Sequence, residues 1–455
     1  MKHLLLLLLM ACSFVMYGQT ITAFKPLRYD EDYSLFKKDT APGWYQQLKY
    51  TPIGLGNSYI SFGAEARFQY FRFTNEGWGE EPRDRDGYIF ARYLAHADLH
   101  AGKSFRAFVQ LQSSLANGKA RTSPVDENPL EVHQAFADVT FLHNKKNSLI
   151  LRAGRQELLY GIQRILSVRD GPNNRHSFDG VKLLYTAGNY KLDAFYSHYV
   201  ASKKGIFNDG FNNYVKMYGA YFTRNKLPVL QHIDLYYIGF WRDKALYDDG
   251  VGKEHRHSIG SHIWGNAGNW RYDVEGLYQF GKWSTATISA WTASLNTSYK
   301  FTGIKFSPEV GFKTEMISGD RQYNDNRLNT FYPLFPRGAY FGLAALIGPA
   351  NLFDIHPSLA ISLTRKLTWN IDQDIFWRLS SNDGIYGPNA ALLYSGKNIS
   401  DKHIGNQLAT DFVYTPNPFL YFRAEFTWFN SGPFLQQAGP GKNIIFTGVT
   451  TQVKL

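Results

Sequence analysis

After Tyr59, polar and apolar residues alternate with a period of two through most of the chain. In a first stretch Ile60, Phe62, Ala64, Ala66, Phe68 and Tyr70 share one face, and Ser61, Gly63, Glu65, Arg67 and Gln69 the other. A second stretch sets Ile89, Ala91, Tyr93, Ala95, Ala97 and Leu99 against Arg92, His96, Asp98 and His100. The same division recurs at Tyr272–Phe280, Phe306–Met316 and Leu420–Trp428. This is the pattern of β-strands with one apolar face. Soluble strands run about five or six residues, whereas a tilted strand crossing a bilayer needs about nine to eleven. Many stretches here reach the longer figure. Several end in aromatics (Tyr70 and Phe71, Phe280, Tyr299, Trp377, Trp428 and Phe429), which fit girdles at a lipid–water boundary.

The links between stretches alternate in length. Short ones fall at Gly102–Ser104, Asn144–Asn147, Ala187–Asn189, Asn225–Pro228, Gly265–Asn269, Phe301–Gly303, Thr364–Lys366 and Thr415–Pro418. The intervening links are mostly much longer, up to Gly319–Ala350. Outer-membrane barrels sort their connections in this way, with short periplasmic turns and long outside loops. The pattern predicts an all-β fold: a transmembrane antiparallel β-barrel of about eighteen strands over 59–455. The last stretch, Asn443–Leu455, must pair with the first, because lipid tolerates no open sheet edge.

Composition narrows the setting. Aromatics make up 16% of the 455 residues, and the negative mean hydropathy is what a polar lumen face balancing a lipid face produces. Residues 1–18 read as a secretory signal: Lys2 and His3, then an apolar run from Leu4 to Met10. The one cysteine, Cys12, lies inside it, so the exported chain is expected to lack disulfides and thiolate chemistry; cleavage is preferred over lipidation at Cys12. Residues 19–58 form an N-terminal extension or plug. The net charge of +11 suits acidic partners, but no basic cluster suggests nucleic acid. The expected location is the outer membrane of a Gram-negative cell, embedded in its lipid.

Strand parity nominates a pore lining. Arg67, Arg92, Arg106 and Arg152 point inward on early strands, followed by Lys182, Lys216, Lys313, Arg378 and Arg423. Guanidinium forks suit carboxylates because they bind them bidentately. Inward acids are almost as numerous, including Glu65, Asp98, Asp138, Asp193, Asp354, Asp374 and Glu425, so cross-strand ion pairing competes for the same arginines. Parity sends Arg155 toward lipid unless a rim position or a bulge relieves it. The link Gly161–Ser177 carries Arg164, Arg169 and Arg175; it reads equally as a basic constriction in the mouth or as a solvated loop.

Several segments together resemble the alginate export family of outer-membrane barrels. They are Arg28–Asp32, Leu48-Lys49-Tyr50, Gly63–Arg67, His133–Asp138, Gly154-Arg155-Gln156 and Phe178-Asp179-Gly180. Later come Phe331–Pro336, Gly338–Gly342, Asn351-Leu352, Asp354–Pro357 and Gly439–Asn443. The resemblance implies an eighteen-stranded barrel exporting an anionic, uronate-type polysaccharide, with pore arginines and lysines pairing to its carboxylates. It implies loops that restrict the pore, an inward or rim position for Arg155, and a contact with periplasmic export machinery.

No catalytic motif is present, and the chain is not expected to be an enzyme. His255-Arg256-His257 reads as incidental, and Asp320–Arg327 and Asp383-Gly384 as turns, so neither a metal nor a cofactor is expected. The rival readings are a general anion-preferring porin for small solutes or oligosaccharides, an outer-membrane lipid hydrolase, and a soluble β-fold that binds at the surface.

Overall fold

The alternating stretches become strands because lipid solvates one face and a wet interior the other, a division only a period of two satisfies. A computed structural model describes residues 23–54, 56–82 and 85–455; the expected signal segment, with Cys12, lies outside the described residues. The barrel wall runs β1 (Tyr59–Thr74), β2 (Tyr88–Ala101), β3 (Phe105–Asn117), β4 (Asn128–His143), β5 (Asn147–Gln156) and β6 (Phe178–Ala187). It continues with β7 (Tyr190–Ala201), β8 (Gly210–Leu227), β9 (Gln231–Tyr247), β10 (Gly250–Ala267), β11 (Trp270–Trp283) and β12 (Ala286–Lys300). It ends with β13 (Glu309–Ile317), β14 (Leu352–Ser362), β15 (Leu367–Trp377), β16 (His403–Asn417), β17 (Leu420–Ser431) and β18 (Ile444–Lys454).

Each strand pairs antiparallel with its sequence neighbours, and β18 returns to β1 with Glu65 opposite Lys454 and Thr74 opposite Ile445. Leu455 and Ala64 exchange main-chain hydrogen bonds at the seam. The result is the closed eighteen-stranded barrel that the alternation predicts. Closure matters energetically, since each unpaired backbone group in hydrocarbon costs several kcal/mol. Among the described residues no helix is long and apolar enough to cross a membrane.

The barrel is inside-out relative to a soluble protein. Phe62, Val109, Val181, Leu235, Ile259, Val274, Val310, Phe412, Phe426 and Val449 are exposed on the outer face. Arg92, Gln110, Gln134, Arg256, Ser258, Gln279 and Asp354 are buried inside. Tyr70, Phe280, Tyr299 and Trp428 face outward, but Phe71 and Phe429 do not. Each of those two follows an outward aromatic and takes the opposite parity. They pack inside with Phe73, Phe90, Phe446, Phe376 and Trp78, nearer the long-loop end.

Two links at the long-loop end are tight: residues 248–249 join β9 to β10, and 284–285 join β11 to β12. The strands they join exceed the roughly nine to eleven residues of a crossing strand: β9 has 17 residues, β10 18, β11 14 and β12 15. These hairpins therefore project beyond the span a bilayer requires. Two of the long links turn inward. Residues 157–177 and 318–351 enter the lumen and are stitched together by Leu166 and Phe335, through the Ser167 N–H to the Phe335 carbonyl at 2.9 Å and the Phe335 N–H to the Ile165 carbonyl at 2.9 Å.

The N-terminal segment from residue 23 occupies the short-turn mouth. A helix, α1 (Trp44–Lys49), lies against β1, where the buried Lys49 ammonium donates to the Phe62 carbonyl at 2.8 Å. Arg28 donates to the Leu455 carbonyl at 2.6 Å. Tyr29 inserts edge-on against Phe108 and Phe136 and donates to the Glu157 carbonyl at 2.8 Å, tying this segment to the first inserted loop.

Candidate functional site in the barrel lumen

Cross-strand register assembles the predicted cations into ion pairs. Arg106 lies opposite Asp138 and grips Asp98 through two bonds of 2.7 Å. Arg152 lies opposite Asp138 and binds it at 2.8 and 2.9 Å, its guanidinium held between the Tyr29 and Phe136 rings. Lys182 is opposite Arg152 and reaches Asp193 at 2.7 Å. A continuous ladder thus crosses the lumen face from β2 to β7. It forms because alternate residues of adjacent strands sit side by side on one face.

A second group centres on the first inserted loop. Arg67 and Arg92 lie directly opposite on β1 and β2. Arg92 binds Glu65 at 2.8 Å and the Asp170 carboxylate at 2.6 Å. Arg67 donates to the Asp170 carbonyl and to the Pro172 carbonyl at 2.8 Å. Arg175 approaches Asp170 at 3.6 Å and binds Glu157 at 2.7 Å. Partial loss of solvent inside the barrel works against the Asp170 anion, but Arg92, Arg175 and Arg67 hold its carboxyl well below the usual range. The three cations are buried while the Asp170 side chain is 53% exposed. A small cavity of about 240 Å³ opens beside it, lined by Lys25, Arg28, Arg175 and Lys454 along with Glu65 and Asp170.

The opposite wall is acidic. Arg164 of the same loop crosses the lumen to bind Glu275 at 2.7 Å and Glu315 at 2.5 Å. Lys313 binds Glu315 at 3.0 Å beneath the Tyr340 and Phe341 rings. Arg423 bridges Asp411 at 2.7 Å and Glu425 at 2.5 Å. Asp354, His356, Asp372 and Asp374 complete this side.

The remaining candidates are placed differently. Arg155 sits at the loop end of β5, bound to Asp179 at 2.8 Å and to the Val132 carbonyl at 3.1 Å, which is a rim position. Arg378 lies one residue past β15. Its buried guanidinium binds the carbonyls of Ser381, Asp383, Ile399 and Asp401, so it organises the outer loop 378–402 and not the lumen row. Parity carried one residue beyond the strand end misplaces it. Lys216 stands over the Trp241 ring on the outer face, because Met217 and Tyr221 take the inward parity of β8. Arg169, with φ +54, wraps the Asn174 carbonyl within its own loop. Sequence reasoning passed over Tyr29 and Asp170 as site residues; their partners are brought to them only by insertion of the chain into the barrel.

The alginate export family model matches residues 58–444, nearly the whole wall. The chain belongs to the alginate export family. No curated protein matches it. Among solved structures it is similar to Pseudomonas aeruginosa OccD3 (OpdP), at 13% identity and a TM-score of 0.59, over 90% of this chain and 93% of that one. It is similar to a BenF-like porin from Pseudomonas fluorescens Pf-5, at 9% identity and 0.57, over 87% and 98%. It is also similar to P. aeruginosa OccK2 (OpdF) in complex with glucuronate, at 10% identity and 0.54, over 87% and 98%. At these identities the likeness is one of fold. Family and fold together make this member of the alginate export family an outer-membrane channel, with its short turns periplasmic.

Proposed function

We propose that the channel exports an anionic, uronate-type polysaccharide, and that the first inserted loop acts as its gate. The observation that carries the reading is the seat of Asp170. A carboxylate on a mobile type of element, a loop, occupies a buried fork of Arg67 and Arg92 on the wall, with Arg175 of the same loop 3.6 Å away. A uronate presents the same group, and guanidinium forks bind it bidentately. An incoming chain can exchange its carboxylate for Asp170 and pass it along the Arg106–Arg152–Lys182 ladder. The ladder's cations keep wall carboxylates as alternative partners, so each hold is weak and repeated, as conduction requires. Membership of the alginate export family supports the substrate class, and the glucuronate held by one neighbour of the same fold is in keeping with it. The N-terminal segment, at the periplasmic mouth, is where export machinery would engage. The chain does no covalent chemistry in this reading.

Planar-bilayer recordings test it. Polyuronate added on the periplasmic side should interrupt the current in a length-dependent way, and a neutral glucan of equal length should not. Equal block by both polymers, or block by monomeric uronate alone, would replace the exporter with a small-solute porin.

A further inference from the structure

We propose that Asp354, His356 and Asp374 form a binding site for a divalent transition-metal cation of the zinc or manganese type. Asp354 and His356 are on β14 and Asp374 is on β15, all on the lumen face. One ligand atom from each lies within 4.8 Å of the others. Bound at about 2.0–2.2 Å, such a cation would draw them to roughly 3–3.5 Å apart, which small side-chain rotations supply.

The decisive group is Asp354. It is 0% exposed and both carboxylate oxygens lack a hydrogen-bond partner. Register makes this costly, because Glu315 of β13 lies directly opposite it. The nearby cations are committed elsewhere. Arg164 and Lys313 bind Glu315, at 2.5 and 3.0 Å. His356 is suited to ligation. Its Nε2 lies 3.1 Å from Asp372, and its Nδ1 is turned to Asp374 at 2.5 Å. Without metal, Nδ1–H donates to Asp374; a cation that displaces this proton would leave Nε2–H donated to Asp372 and a lone pair on Nδ1, the outer-carboxylate arrangement that orients metal-bound imidazoles. Mixed imidazole and carboxylate donors suit zinc or manganese, and the donors are too few for calcium, which takes six to eight oxygens. Gln407 joins Asp374, at 2.9 Å, to the Phe341 carbonyl, at 2.7 Å. A bound ion would therefore stiffen the seat of the second inserted loop.

Co²⁺ is the probe, added to the refolded, chelator-treated barrel in detergent. The expected result is saturable d–d absorption from about one Co²⁺ per chain, displaced by Zn²⁺. Asp354→Asn and His356→Gln should each weaken binding at least about a hundredfold, and Asp372→Asn about tenfold. His143→Asn, at the far end of β4, should change nothing. Heat-modifiable gel migration reports folding of every variant. If a variant fails to fold, the zinc content of the wild-type barrel after dialysis decides, with about one per chain expected. Wild-type protein that takes up no metal, or Asp354→Asn that binds like wild type, overturns the assignment.

Discussion

Asp170→Asn isolates the gate, because it removes a charge and keeps the shape. In the native barrel Arg92 contacts the Asp170 carboxylate at 2.6 Å, with Arg175 at 3.6 Å and Arg67 at 4.0 Å. A hydrogen bond to a charged group contributes about 1.5–3 kcal/mol, a neutral one about 1. The difference must be discounted, since the side chain is 53% exposed and water screens it. About 1 kcal/mol remains, which is roughly a fivefold increase in the population with the loop released. Arg92 retains Glu65, and Arg67 retains its main-chain partners, so the barrel itself should keep its stability. In single-channel recordings the variant should spend about five times longer in its high-conductance state. Its reversal potential in a salt gradient should move toward the anion, because one neutralising charge has left a three-cation cluster. Current traces and reversal potential indistinguishable from wild type would refute the idea that Asp170 latches the loop.

Tyr29→Ala should loosen the N-terminal segment. It deletes a buried ring between Phe108 and Phe136 and a hydrogen bond to Glu157, a loss of about 3–5 kcal/mol that falls on a short docked segment. Proteolysis should trim the segment while gel migration of the barrel stays native; an uncut segment would contradict this. Lys49 gives a pH test. Burial, then the Arg28 charge, lowers its ammonium to about 7, so across roughly pH 7–10 the undocked segment binds more protons and docking should tighten as pH rises. The protection factors of residues 44–49, which correct for the intrinsic rise of exchange with pH, should increase over that window; a flat profile would count against the buried amine. Asp320, in the second inserted loop, is raised to about 7 by burial and by Asp383 nearby. Here the folded loop binds the extra proton, so its packing should weaken between about pH 4 and 7, read as falling protection factors at 318–330 after correction for intrinsic exchange. Asp320→Asn should reduce that slope to the part contributed by Asp383, which burial raises to about 6.

The wall was legible because lipid imposes a simple code. β1 alternates as Ile60–Tyr70 out and Ser61–Gln69 in, and the register with β2 follows without a break. Where the residues do not alternate cleanly, the reading failed. β8 carries Tyr214, Tyr218 and Phe222 on one parity and Val215, Met217 and Tyr221 on the other, and Lys216 went to the wrong side. The ladder was legible in kind: its cations were identified, and so were the inward acids that compete for them, but not which acid each cation takes. For the lumen contents, an inserted loop and an N-terminal plug were legible as alternatives, but their contacts were not. Arg164 meets Glu275 across 111 residues of chain, and Tyr29 meets Glu157 across 128. No local pattern encodes such a pairing; loop length told that a link could turn inward, not that it did. His356 and Asp374 are likewise joined only by the β14–β15 hairpin.

Gating and selectivity are one event in this architecture. Most wall cations have wall partners: Arg106 has Asp98, Arg152 has Asp138, Lys182 has Asp193 and Arg423 has Asp411. Those pairs travel with the barrel and stay neutral whatever the loops do. Arg67 and Arg92 differ, because one of their counter-charges sits on the inserted loop. The same loop lends Arg164 to Glu275 and Glu315 on the far wall. Withdrawing it would remove an acid from β1–β2 and a base from β11–β13 together. The released lumen would then carry a cationic stripe facing an acidic one, with a transverse field that the closed form cancels. An acidic polymer would be drawn to the β1–β2 side and held off the other, which aligns it along the ladder. The balanced charge of the resting lumen is thus compatible with anion transport, because the imbalance appears only when the passage opens.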